Sequence, residues 1–253
     1  MDTEPGVRGV AVITGGSRGI GAATAIAAAN AGWSVLLTYR KDERAGDEIV
    51  QTILMAGGRA SSIRADMAHE DDITAIFEAA DKLGTVTAFV ANAGIAASQS
   101  RVDELTPSRI AELLAVNVAG PLLASGHAVR RMSTLHGGAG GGIVLVSSVA
   151  SRLGAAGEYV DYAASKGAID TLGVGLAREV AAEGIRVNVV RPGVIDTDIH
   201  GRNGRPDRAK ELAHTIPMHR TGHAAEVAAA IIWLLSDEAS YCTGSILDIA
   251  GGR

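Results

Sequence analysis

Val10-Ala11-Val12-Ile13-Thr14-Gly15-Gly16-Ser17-Arg18-Gly19-Ile20-Gly21 is the stretch on which the fold turns. Its first four residues form a short continuous apolar run, the pattern of a strand buried on both faces. The run stops at a glycine-rich turn, and Ala22 to Ala31 continue with helical character. Strand, glycine turn and helix in that order let backbone N–H groups and the positive end of the helix approach a pyrophosphate that any Cβ would obstruct. The spacing is Gly-x-x-x-Gly-x-Gly and not the dinucleotide fingerprint Gly-x-Gly-x-x-Gly. Three glycines alone fit an ordinary tight turn equally well; the flanking strand and helix give the phosphate reading its specificity.

Working outward, Ser34 to Tyr39 read as a second strand that ends about 20 residues after the turn, where an acidic residue would bind the ribose hydroxyls of NAD. Tyr39-Arg40-Lys41 stand there instead. A guanidinium at Arg40, with Arg18 from the turn, suits a 2′-phosphate and predicts NADP over NAD. The competing reading is that Arg40 and Lys41 open a solvated helix from Asp42 to Ala56. Ala60 to Ala65 form a third strand ending at Asp66-Met67, followed by a helix over Glu70 to Lys82 and a strand over Val86 to Val90. This alternation predicts a doubly wound α/β fold, a mostly parallel sheet with ligands at the carboxyl ends of its strands. Asp66, Met67, Asn92, Ala93 and Gly94 fall at such ends. Asp66 suits an adenine amino group or a turn and N-cap role equally.

A helix from about Pro107 to Met132 carries Asn117 in an apolar setting, where a buried amide needs partners. Gly137 to Gly142 is a link into the strand Ile143 to Val146, closed by Ser147-Ser148. A long helix from about Tyr159 to Glu183 contains Gly167, Gly173 and Gly175, each costing up to about 1 kcal/mol relative to alanine, which predicts close packing against another helix of this or a second subunit. Ile185 to Val190 are a sixth strand ended by Pro192-Gly193, with Ile195-Asp196-Thr197 at the cleft edge. His200 to Pro217 break the regular pattern and read as a mobile substrate-binding segment, within about 196–220. Helix Ala224 to Leu235 and strand Ser245 to Ile249 end the chain. The reading is one domain over 1–253, within reach of a single core.

In the long helix, Tyr162 and Lys166 are four residues apart and share a face. A phenol titrates near 10, so acid/base work near neutrality needs a nearby cation, about 4 kcal/mol for a three-unit shift. Lys166 supplies part of it. An amphipathic helix with an exposed lysine and a half-buried tyrosine is the plain alternative.

A net charge of -5, with 20% charged and 3% aromatic residues, argues against nucleic acid and an anionic membrane surface as partners. No unbroken apolar run reaches the roughly 18 residues of a membrane span. Cys242 is the single cysteine, and the polar start Met1 to Gly6 is unlike a signal peptide, so a cytoplasmic protein is expected. His200, His214, His219 and His223 lack a carboxylate or cysteine pattern to complete a site, and no metal is expected.

Taken in order and in register, these residues resemble the short-chain dehydrogenase/reductase family over essentially the whole chain. Thr14 to Gly21 resemble its cofactor turn, Ala91-Asn92-Ala93-Gly94 its Asn-Asn-Ala-Gly signature with the first Asn replaced, and Tyr162 to Lys166 its Tyr-x-x-x-Lys. Asn117, Ser148 and Pro192-Gly193 fall where the family pattern has them. The resemblance implies a Rossmann-type sheet of seven strands in the order 3-2-1-4-5-6-7 and NADP, with NAD as the alternative. It implies that Tyr162 is the acid/base, Ser148 holds the substrate oxygen, Lys166 binds the nicotinamide ribose and lowers the tyrosine pKa, and Asn117 anchors a water. Gly15, Ser17, Arg18, Gly19, Ile20, Gly21, Arg40, Asp66, Met67, Asn92, Ala93, Gly94, Tyr162, Lys166, Pro192, Gly193, Ile195 and Thr197 are the implied cofactor contacts. Ser148 lies one residue further from Tyr162 than is common in the family, an insertion within Gly154 to Asp161 that reshapes the pocket wall; Ser147 is the lesser candidate for the serine role. The implied activity interconverts a secondary alcohol and a ketone in a homo-oligomer, a dimer or tetramer. The alternatives are a 3-oxoacyl-thioester reductase whose Arg130-Arg131 meet an acidic carrier, and a non-catalytic dinucleotide-sensing protein.

Overall fold

The structure, a computed structural model, describes residues 8–197 and 212–253. Its strands are β1 (Val10–Ile13), β2 (Ser34–Tyr39), β3 (Ala60–Arg64), β4 (Val86–Ala91), β5 (Gly141–Val146), β6 (Ile185–Pro192), β7 (Ile195–Asp196), β8 (Gly222–His223) and β9 (Ile246–Ile249). Seven of them form one sheet in the order β3-β2-β1-β4-β5-β6-β9, with every ladder parallel, while β7 and β8 pair separately. This is the expected order, with β9 in the seventh place.

The helices are α1 (Gly19–Asn30), α2 (Glu43–Met55), α3 (Glu70–Leu83), α4 (Pro107–Leu114), α5 (Gly120–Met132), α6 (Ala150–Leu153), α7 (Val160–Val180) and α8 (Ala224–Leu235). Successive strand side chains point to opposite faces, so a sheet covered on both sides needs apolar residues at every position. Val10 and Val12 of β1 join a core with Phe77, Phe89, Ile143, Leu145 and Ile169, under α3, α5 and α7. Ala11 and Ile13 join the other core with Leu37, Val144, Ile53 and Ile231, under α1, α2 and α8. All strand carboxyl ends consequently face one edge, where the site is built.

Three sequence expectations need correction. First, Pro107 to Met132 is not one regular helix: Ala115–Ala119 form a wide π-turn between α4 and α5. The Asn117 amide is buried in that turn, accepting from Ile95 N–H at 2.8 Å and donating to Ile95 O at 2.8 Å and Ser165 Oγ at 3.2 Å. The extra residue turns the amide to those partners while Val116 stays in the core. An 18-residue window of the same run reaches a mean hydropathy of 1.2, enough by length and composition to cross a membrane, although Arg109, Glu112, Asn117 and Arg130 leave the run without an unbroken apolar span. Here Val116, Ala124, Ala128 and Met132 face the core.

Second, the helix after the glycine turn begins at Gly19, three residues before the expected Ala22. Third, Gly173 packs on the sheet and not on another helix: a Cβ there would lie 2.2 Å from Val189 Cγ2, whereas Gly167 and Gly175 face open space. Of the expected substrate segment, residues 198–211, including His200, Arg202, Arg205 and Arg208, lie outside the described residues.

Candidate active site

The turn after β1 is held by side chains from the ends of its neighbours. Thr38 of β2 accepts from Gly15 N–H at 3.0 Å, and the Asn92 amide after β4 donates to Thr14 O at 2.9 Å and Gly15 O at 3.1 Å. Thr14 Oγ1 in return accepts from the N–H groups of Asn92 and Ala93 at 3.0 Å each. Gly15 has φ +65°, a left-handed conformation. Gly21 serves closeness: a Cβ there would meet Gly15 O at 2.2 Å and Asn92 Nδ2 at 2.5 Å. The helix start is thereby brought down onto the turn, as a phosphate site requires.

Around this turn opens a cleft of about 850 Å³. It is lined by Gly15, Ser17, Arg18, Gly19, Ile20, Arg40, Asp66, Met67, Asn92, Ala93, Gly94, Ser148, Tyr162, Lys166, Pro192, Gly193, Ile195 and Thr197, so nearly every sequence-predicted site residue meets in one place. Gly21 and Asn117 are the two that stand behind the wall. Arg18 donates to Asp42 at 2.7 Å, Asp42 also caps α2 through Ala45 N–H, and Arg40 lies 3.9 Å from Asp66. Asp66 accepts from Ala68 N–H at 3.1 Å, so its turn role is realised at the cleft edge.

At the other end, α7 presents Tyr162 and Lys166 toward Ser148. Ser148 Oγ accepts from Ala150 N–H at 3.1 Å, leaving its own hydrogen free to donate. Ser147 is buried and its hydroxyl donates to Lys166 O at 3.0 Å. Burial pushes the Tyr162 phenol above its usual range, and hydrogen bonding with Ser148 pulls it back. The expected lowering by Lys166 is not among these influences. Its Nζ lies 5.7 Å from the Tyr162 ring centre and donates to Val146 O at 2.8 Å. Burial brings the Lys166 ammonium down to about 8, opposed by the carboxylate of Asp170. Gly94 lies beside both groups: a Cβ there would be 3.4 Å from Asn117 Oδ1 and 3.5 Å from Lys166 Nζ. The hydroxyls of Ser148 and Tyr162 and the ammonium of Lys166 therefore share one end of the cleft, with the Asn117 amide behind it, an arrangement able to stabilise charge growing on a carbonyl oxygen and to move a proton.

The sequence reading missed a set of ion pairs behind these groups. Asp170, one helical turn beyond Lys166, accepts from Arg191 Nη2 at 2.8 Å and Nε at 3.1 Å. Arg191 lies 3.6 Å from Asp248, which pairs with Arg152 at 3.2 Å, and Arg152 donates to Arg253 O at 2.8 Å. Arg109 of α4 pairs with Asp161 at 2.7 Å. The only sequence signal was the i, i+4 spacing of Lys166 and Asp170; the other partners come from distant segments. Arg131, which with Arg130 would meet the acidic carrier in the alternative reading, donates to Asp81 through Nε and Nη2, at 2.7 Å each. Among the described residues, no group of three or more His, Cys, Asp or Glu is gathered to hold a metal ion.

Comparison with known proteins agrees with this geometry. The family profile described as Enoyl-(Acyl carrier protein) reductase matches residues 15–253. The chain is 33% identical to a short chain dehydrogenase from Burkholderia cenocepacia J2315 solved in complex with NADP, with a TM-score of 0.88, over 98% of this chain and 99% of that one. This chain belongs to the short-chain dehydrogenase/reductase family. Within the family it is 53% identical to the uncharacterized oxidoreductase YgfF of Escherichia coli (strain K12), over 96% of this chain and 99% of the relative. It is 33% identical to glucose 1-dehydrogenase 2 of Bacillus subtilis (strain 168), over 96% and 93% respectively. It is an NAD(P)-dependent oxidoreductase acting on CH–OH groups.

Proposed function

We propose that this short-chain dehydrogenase/reductase interconverts a ketone and a secondary alcohol with NADP(H), using Tyr162 as the acid/base. The observation that carries the reading is the meeting of Ser148, Tyr162 and Lys166 in the cleft that the glycine turn opens. The residues present fit the dinucleotide. Gly15 and Gly19 line the cleft at the start of α1, Gly21 lets that helix start sit on the turn where a Cβ would strike Gly15 O, and Arg18 and Arg40 line the cleft as the planar donors a 2′-phosphate needs. The Burkholderia neighbour's complex with NADP supports the same choice.

When bound, the cofactor supplies or accepts the hydride. In the direction of reduction, the hydroxyls of Ser148 and Tyr162 donate to the carbonyl oxygen, where negative charge grows, and Tyr162 Oη releases its proton to that oxygen. Lys166 holds the ribose side and sets a positive charge beside the resulting phenolate, while Asn117 fixes the Ile95 backbone next to it. Burial raises the phenol, so the protonated acid is its resting form. The working unit in this reading is one domain in a cytoplasmic homo-oligomer; the exposed Leu122 and Leu123 of α5 support association, and sedimentation velocity tests it.

Replacing Tyr162 with Phe is the direct test. Turnover is expected to fall by about 1,000-fold or more while NADPH affinity, read by cofactor fluorescence, stays unchanged. Near-normal turnover in that variant overturns the mechanism. Cyclohexanone, ethyl acetoacetate and acetoacetyl thioester with NADPH or NADH, and glucose with the oxidised cofactors, form the substrate screen. Preference for the thioester would favour the 3-oxoacyl-thioester alternative, which the name of the matching family profile supports.

A further inference from the structure

We propose that Arg109 is a positioning residue for this reaction, clamping the start of the helix that carries Tyr162 to the opposite wall of the substrate end of the cleft. The proposal rests on the acid/base reading of Tyr162. Arg109 Nε and Nη2 donate to Asp161 Oδ2 at 2.7 Å and Oδ1 at 3.3 Å, and Nη1 donates to Ser98 O at 2.8 Å. Asp161 Oδ1 also accepts the backbone N–H of Tyr162 at 2.9 Å. One carboxylate thus receives both a guanidinium from α4 and the amide of the acid/base residue itself.

Ser98 lies in the segment after β4 that lines the cleft. Two residues on, Ser100 N–H donates to Glu158 O at 3.0 Å, and Gln99 Nε2 donates to Glu158 Oε1 at 3.0 Å. Ser100 also pairs with Tyr159 as an isolated bridge, and both Glu158 and Tyr159 line the cleft. Segments 98–100 and 158–161 are therefore sewn together across the mouth, and Arg109 sits where they meet α4.

The N-cap of α7, Tyr159, makes no side-chain capping bond. The turn leading to it holds Gly154, Ala155 and Gly157 in left-handed conformations, Ala155 at φ 47°. The clamp itself is shielded, with side-chain exposures of 18% for Arg109 and 4% for Asp161. Its planar fork engages three acceptor atoms at fixed angles, which a lysine cannot do.

The test compares Arg109→Met, Asp161→Asn, the double variant and Tyr162→Phe, using NADPH and the carbonyl compound that the unaltered protein reduces fastest in the screen above. Arg109→Met is expected to lower kcat about 30-fold, within the ~100-fold that a misplacement of ~1 Å costs, with NADPH affinity within about twofold. It also strands a buried carboxylate, so its unfolding midpoint falls. The double variant removes that carboxylate: the midpoint recovers, and kcat stays low because the clamp is still gone. Recovery of kcat together with the midpoint would reduce Arg109 to a neutraliser of buried charge and overturn the proposal, as would an unchanged kcat in a folded Arg109→Met. An active Tyr162→Phe sinks the acid/base reading; an inactive one beside a fully active double variant sinks only the clamp.

Discussion

On the glycine-turn side of the cleft, Thr14, Thr38 and Asn92 hold the backbone through neutral hydrogen bonds of 2.9–3.1 Å. On the side of α7, the corresponding supports are charged: Arg109 on Asp161 and Arg191 on Asp170. The difference follows from what each side must meet. A turn that accepts an anion has to keep its own N–H groups available and its side chains small. The α7 side has to hold a lysine indoors, and a buried ammonium is tolerated only with opposite charge arranged around it.

Removing one member of a buried pair should therefore cost more than removing a neutral support. Arg191→Met leaves the Asp170 carboxylate without its guanidinium and is expected to destabilise by about 4 kcal/mol in urea unfolding, with Asp170→Asn restoring much of it in the same background. A loss below about 1 kcal/mol would erase the contrast between the two sides.

Lys166 offers a pH test of the same idea. With a folded-state value of about 8 against 10.5 when unfolded, the unfolded chain binds more protons between those values, so stability rises with pH across that window. Below pH 8 both states are charged and the full cost of burying the ammonium is present. Relative to Lys166→Met, the unaltered protein should gain about 3 kcal/mol between pH 8 and 10.5. Parallel stability curves for the two proteins would show that the lysine is not held against burial.

The smallest effect is expected on the glycine-turn side. Asn92→Ala removes two side-chain bonds to backbone carbonyls and should cost about 2 kcal/mol, with weakened NADPH binding as the turn loosens. A loss as large as that of Arg191→Met would invert the ranking.

The same contrast explains what was legible in the sequence. The strand, turn and helix around Gly15 and Gly21 are local, so spacing alone carries their geometry, and the alternation of buried strands and helices carries the parallel α/β class, while the strand order came from the family resemblance. Tyr162 and Lys166 were readable as one helix face for the same reason. The direction of Lys166 was not: its bond to Val146 O spans 20 positions. Arg109 and Asp161 are 52 positions apart and Asp170 and Arg191 are 21, and an isolated arginine or aspartate in a helix pattern looks like any solvated charge. Arg131 shows the same limit, since its pairing with Asp81 spans 50 positions and leaves no local trace in the sequence.

The wide turn at Ala115–Ala119 carries a consequence for how this chain tolerates changes in length. The turn absorbs one extra residue while Val116 and, beyond it, Ala124, Ala128 and Met132 all stay on the core, so deleting one residue there would yield an ordinary α-helix with that face still buried and would instead turn the Asn117 amide away from Ile95 and Ser165. Gly137, where an added Cβ meets nothing within 4 Å, has room for such a change. Viable one-residue insertions or deletions between β4 and β5 should accordingly collect around Gly137 and spare the Asn117 turn.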